Sequence, residues 1–215
     1  MRFLPLLFLA TALAGPAVQA ADTVRVIVKT TLDGKPVADA VVSATPLDHS
    51  APAAPAGEVA QIEQKDQEFR PYVTAIQVGE KVNFPNHDTV QHHIYSLSKP
   101  KRFEIPLYQS GASESVVFDT PGIVTLGCNI HDWMVAYIVV LPTPYFAKTD
   151  ATGAAALPPL PPGRYRLEVW HPRAPAPLEQ EILSAPEKAA VLEFSVALKP
   201  DKRIRRAPSG KPTDY

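Results

Sequence analysis

The chain has a single cysteine, and it stands in the run Cys128-Asn129-Ile130-His131-Asp132-Trp133-Met134. A thiol, an imidazole and a thioether recur there at three-residue steps. Such soft and borderline donors suit copper better than calcium or magnesium, which take oxygen ligands. Two histidines and a cysteine in a trigonal plane, with a weak axial methionine, make a mononuclear blue-copper centre. His131 supplies one imidazole. The second must come from elsewhere, and Asn86-His87-Asp88-Thr89-Val90-Gln91-His92-His93 offers three candidates on one loop: His87, His92 and His93. His92 and His93 are adjacent, so in a strand only one of them can face Cys128.

The elements that must hold these residues read as strands. Gly122-Ile123-Val124-Thr125-Leu126-Gly127 is β-branched and follows the turn signal Pro121-Gly122. Alternation puts Val124, Leu126 and Cys128 on one face, so the thiol sits at a strand end on the rim of a core. Val135 to Leu141 is strand-like again. A loop between two strands is a rigid support for a metal.

Taken together, Asn86-x-Asp88-x-x-x-His92 and Cys128-x-x-His131-x-x-Met134 resemble the ligand segments of the cupredoxins, the plastocyanin and amicyanin group. The tight Cys-x-x-His-x-x-Met spacing is most similar to amicyanin, and the resemblance spans roughly residues 57 to 142. The cadence Val78-Gly79-x-x-Val82-x-Phe84 ahead of the histidine loop belongs to the same likeness. Two positions depart from the family pattern: His93 stands where an asparagine is usual, and Asn129-Ile130 replaces a proline-containing pair.

The resemblance implies one copper ion, cycling between Cu(I) and Cu(II), held by His92, Cys128, His131 and Met134. Asn86 and His93 would brace the ligands through hydrogen bonds. Trp133 would cover the metal, and His131 would be the ligand nearest solvent. It implies a one-electron carrier rather than an enzyme, with a redox protein, a cytochrome or a dehydrogenase, as donor and as acceptor. The competing reading is a copper-binding or delivery module without redox turnover. No paired carboxylates, Ser-His-Asp pattern or phosphate loop suggests catalysis.

Residues 1–20 read as a signal peptide: Arg2 as charged start, an apolar stretch from Phe3 to Ala14 too short to span a bilayer, and small residues at Val18-Gln19-Ala20. The expectation is export to a periplasm, without stable membrane insertion. An unpaired cysteine in an oxidising compartment then needs an explanation, and metal ligation supplies one. The whole chain carries 21 basic and 22 acidic residues, and losing Arg2 leaves a balance near −2. That argues against nucleic acid as a partner.

The expected fold class is all-β, a cupredoxin Greek-key sandwich plus a second sandwich, since 24 prolines and many short β-rich runs leave no helical periodicity. Val24 to Lys29 and Val37 to Ala44 read as strands around the turn Asp33-Gly34. Asp33-Gly34-x-Pro36-Val37-x-x-Ala40-Val41-Val42 resembles the start of carboxypeptidase regulatory-like, or transthyretin-like, domains. Leu157 to His171 resembles the second half of the same domain. We therefore expect residues 22–47 and 145–199 to form one sandwich, with the copper domain of residues 57–142 inserted between them. Residues 48–57 read as a linker with His49 solvated, His171 as structural, and residues 200–215 as a basic disordered tail.

Overall fold

The computed structural model describes residues 24–53, 59–185 and 190–201. The proposed signal peptide and all but the first two residues of the basic tail lie outside the described residues. Among the described residues the protein is all-β, with no helix.

The described residues begin with β1 (Val24–Thr30) and β2 (Val41–Pro46). Ten strands follow: β3 (Val59–Gln61), β4 (Glu63–Lys65), β5 (Glu68–Arg70), β6 (Val73–Gln77), β7 (Lys81–Pro85), β8 (His92–Ser96), β9 (Phe103–Tyr108), β10 (Ser113–Val117), β11 (Gly122–Gly127) and β12 (Val135–Leu141). The last five are β13 (Phe146–Lys148), β14 (Ala154–Ala156), β15 (Gly163–Trp170), β16 (Leu178–Ser184) and β17 (Ala190–Val196).

Neither β1 nor β2 pairs with the middle strands. β1 lies between β14 and β17, antiparallel to the first and parallel to the second. β2 lies between β13 and β15 in the sheet β13-β2-β15-β16. These two sheets enclose one apolar core, in which Val26 and Val28 meet Val42, Tyr165, Leu167 and Phe194. A two-stranded start could not bury its apolar face alone, and the C-terminal strands supply the missing wall.

The middle strands build a second pair of sheets, β10-β7-β3 and β6-β12-β11-β8-β9. Their shared core holds Phe84, Ile94, Phe118, Leu126 and Ile138, all fully buried. Each such side chain contributes about 1.5–3 kcal/mol relative to exposure. Cys128 and Met134 belong to this core, so the candidate ligands are anchored in its packing.

β12 explains the continuous apolar run Val135 to Leu141. Its Ala136, Ile138 and Val140 face the core just described. Val139 and Leu141, on its other face, pack with Val41, Phe146 and Trp170 of the terminal strands. A strand covered on both sides loses the polar alternation of a half-exposed one. The two bodies also meet through the Tyr137–Trp170 ring contact and a hydrogen bond from Lys148 Nζ to the Val73 carbonyl, 3.0 Å.

Several local expectations are corrected. The strand expected over Val37 to Ala44 starts only at Val41, because Asp39 takes a left-handed φ of 61° and breaks the extended run. β9 was not expected, since Pro106 interrupts its sequence. It lies at the sheet edge, where a missing N–H costs no ladder bond. His49 is an exposed loop residue, as expected, but its ring is held: its Nε2 lies 3.1 Å from the Tyr165 hydroxyl and its Nδ1 2.8 Å from Asp48. Asp48 in turn accepts from the Arg164 N–H, so the start of the expected linker is tied to β15.

Candidate metal centre

Three of the four expected ligands come together from the start of β8 and the loop between β11 and β12. The ligand atoms of His92, Cys128 and His131 all lie within 4.8 Å of one another. Cys128 Sγ is 4.0 Å from His92 Nδ1 and 3.6 Å from His131 Nδ1. The rings of His92 and His131 are 4.9 Å apart. Donor atoms about 2.0–2.3 Å from a common trigonal centre stand roughly 3.5–4 Å apart. The residues present therefore fit a metal ion.

The fourth, Met134, is buried in the same core as Cys128, and its N–H donates to the His131 carbonyl at 2.9 Å. Exposures of 0% for His92, 3% for Cys128, 2% for Met134 and 5% for His131 make a dry site, with His131 the most open of the four.

Local sequence sets each position. β11 carries Val124 and Leu126 into the core and delivers Cys128 on the same face. Gly127 has no side chain because the Tyr95 ring lies over it; a Cβ there would come within 2.8 Å of that ring. The turn through Asp132 and Trp133 then leads into β12. On the other loop, buried Asn86 holds the turn from inside. Its side-chain amide donates to the carbonyls of Val90 (2.9 Å) and Tyr108 (3.2 Å), and its oxygen accepts from the Asp88 N–H (3.0 Å).

Asp88 is the residue that sequence reasoning left without a role. Its Oδ2 lies 3.0 Å from His92 Nε2 and also accepts from the Gln67 N–H at 2.6 Å. A carboxylate only accepts, so the proton of neutral His92 sits on Nε2 and the Nδ1 lone pair is left facing Cys128. The signal was available: an aspartate four residues before the candidate histidine, inside the quoted motif.

The electrostatics agree. Burial pushes the His92 imidazole below its ordinary value, and Asp88 opposes this only in part. For Asp88, burial pushes the carboxyl up, but the Gln67 N–H, His92 and the Thr89 N–H together hold it below the usual range. Tyr108, whose hydroxyl lies within hydrogen-bond reach of the Gln64 side chain and of the Phe84 carbonyl, is pushed up by burial.

The other two histidines of the loop stand apart from the cluster. His87 is exposed and pairs with Glu63 at 2.7 Å. His93 sends Nε2 to Glu104 at 2.8 Å, and its buried Nδ1 has no hydrogen-bond partner. It does not brace the ligand loops in the way expected of it. Trp133 lies over His131, with ring centroids 5.2 Å apart, and its indole N–H donates to the Gln67 carbonyl. His171 is buried, and its Nδ1 accepts from the Arg173 N–H.

No protein-family model matches this chain, and no curated protein matches it. The solved structures to which it is similar over part of its length include cupredoxins. One is a purple cupredoxin from Nitrosopumilus maritimus, 28% identical, covering 38% of this chain and 99% of that one at a TM-score of 0.36. Another is a copper-containing nitrite reductase from Thermus scotoductus SA-01, 25% identical, covering 45% of this chain and 25% of that one at a TM-score of 0.38. A variant of amicyanin with Cu(I) is 17% identical, covering 46% of this chain and 99% of that one at a TM-score of 0.37.

Proposed function

We propose that the protein binds one copper ion through His92, Cys128, His131 and Met134 and serves as an exported one-electron carrier. The observation that carries this reading is the buried cluster of two imidazole nitrogens and one sulfur, within 4.8 Å of one another and beside a buried methionine. The copper would supply a centre that accepts and returns one electron. The chain's part is to keep the donors fixed. Asp88 holds the His92 tautomer, Asn86 holds the loop that carries it, and the core around Leu126 and Ile138 holds Cys128 and Met134. A rigid, dry donor set limits rearrangement between oxidation states, which is what fast electron exchange needs. His131, the most open ligand, is the natural electron port.

The same proposal divides the chain into a copper domain of residues 57–142 set into a sandwich of 22–47 and 145–199. It places the protein in a periplasm, working between a cytochrome or a dehydrogenase and a second redox protein. The pairing of β1 and β2 with the C-terminal strands supports that division.

The test is the optical and electron paramagnetic resonance spectrum of the copper-loaded protein, with Cys128→Ser alongside. A strong visible band that vanishes in the variant is expected, because the band needs the thiolate. A variant that kept it would sink the assignment. Reversible voltammetry separates a carrier from a delivery module, which would hand Cu(I) to a chelating acceptor without redox turnover.

A further inference from the structure

Beside the metal centre, where the two bodies meet, lies a cleft of about 680 Å³ that the copper reading does not use. That volume is in the range of small-molecule sites. Three aromatic side chains line it: Trp133 from the ligand loop, Tyr137 from β12 and Tyr72 just before β6. Tyr72 and Tyr137 meet edge to face, 5.5 Å apart at 88°, which leaves ring faces to present to a guest. The opposite wall comes from the terminal body, from Arg173 and from the segment Lys199 to Asp201. Arg173 is fixed there, its Nε donating to the Lys199 carbonyl at 2.6 Å.

The charges of the lining decide the class of guest. Arg173 pairs with Asp201 at 4.0 Å, and Lys199 is matched in number by Asp132. A purely anionic ligand would meet as many carboxylates as cations, and so would a cationic one. A neutral planar ring with hydroxyl groups suits all of them: its faces stack on the aromatic residues, its O–H groups donate to the carboxylates, and its oxygens accept from Arg173 and Lys199. We infer that this cleft is a binding site for a neutral diphenol of one or two fused rings. Such a guest would lie against Trp133, whose ring is in contact with His131. The site would therefore hold a small organic redox molecule at the edge of the proposed electron port.

The test uses the full mature protein without metal, titrated with a naphthalenediol. Tryptophan fluorescence and the Trp133 indole N–H signal in the nuclear magnetic resonance spectrum are followed. One saturable site is expected, with the Trp133 signal shifting. Trp133→Leu and Tyr72→Leu should each weaken binding by about tenfold or more, as expected for loss of a stacked ring, while Trp133→Phe should keep most of it. A naphthalene carboxylate should bind more weakly than the diol. The absence of saturation, an affinity unchanged in both leucine variants, or tighter binding of the carboxylate would each overturn the inference. Because the protein is metal-free, the result is independent of whether the copper reading holds.

Discussion

Replacing Asp88 by asparagine isolates the contact that fixes His92. The carboxylate makes three hydrogen bonds: Oδ2 with His92 Nε2 and with the Gln67 N–H, and Oδ1 with the Thr89 N–H. An asparagine has one acceptor oxygen. Placed where Oδ2 was, it keeps Gln67 and His92 but turns its NH₂ toward the Thr89 N–H. Flipped, it keeps Thr89 and gives His92 a donor facing a donor. Either way the charge on the His92 contact is gone. A hydrogen bond to a charged group contributes about 1.5–3 kcal/mol, and loss of an outer partner of a metal-bound histidine costs about 10–100-fold in affinity. The two figures agree, since tenfold is about 1.4 kcal/mol. Asp88→Asn should therefore bind Cu(II) about 10–100-fold more weakly, measured by competition with a chelator of known affinity. Far-ultraviolet circular dichroism should show that the fold is kept. An affinity within twofold of the parent protein, with the fold intact, would refute the role given to Asp88.

His92→Gly should lose the blue spectrum and regain it with added imidazole, whereas His87→Gly should keep it; the reverse pattern would move the ligand to His87. Asn86→Ala removes three hydrogen bonds made by a buried side chain, each with a net value of about 1 kcal/mol, so the melting midpoint of the metal-free protein should fall by about 6–12 °C. Tyr165 is fully buried, and burial, with Tyr145 and Asp48 nearby, pushes its phenol up to about 12. A raised value means that the folded state holds the proton longer than the unfolded one. Its contribution is thus complete below about pH 10 and is lost as pH rises toward 12. Denaturant melts across that range should show the decline, and Tyr165→Phe should flatten it.

That Cys128 and His131 should meet an upstream histidine was legible in the sequence, because chemistry limits what such residue types at that spacing can do. One cysteine, with His131 and Met134 at fixed steps after it, suits few metals. The strands beside it were legible because Val124 and Leu126 alternate toward one core. What was missed is what depends on how the chain folds back on itself, whether over four residues or over a hundred. Asp88 acquires its meaning only when the loop folds it onto His92. His93 looked like a brace by its place in the motif, yet strand alternation turns it to Glu104. His49 sits in an Ala- and Pro-rich stretch that reads as linker, and only the return of Tyr165, far along the chain, gives it a contact. Pro106 concealed β9, because only the sheet order shows that it lies on an edge.

The pairing of β2 with β13 carries a consequence for how this chain can be rebuilt. Ser43 lies opposite Phe146 and Val41 opposite Lys148, so these strands are the two arms of a hairpin. Everything between Pro46 and Phe146, the candidate metal centre included, is formally the loop of that hairpin. Neighbouring arms are about 4.8 Å apart, so the enclosed body leaves and returns at nearly one point. The entropy of closing a loop grows only as the logarithm of its length, about 0.6 kcal/mol per doubling, so the host tolerates a long insertion at little cost. The converse follows as well. A different binding body with similarly close ends could take the place of this one, and the host would retain the β1–β17 and β2–β15 pairings that close its own core.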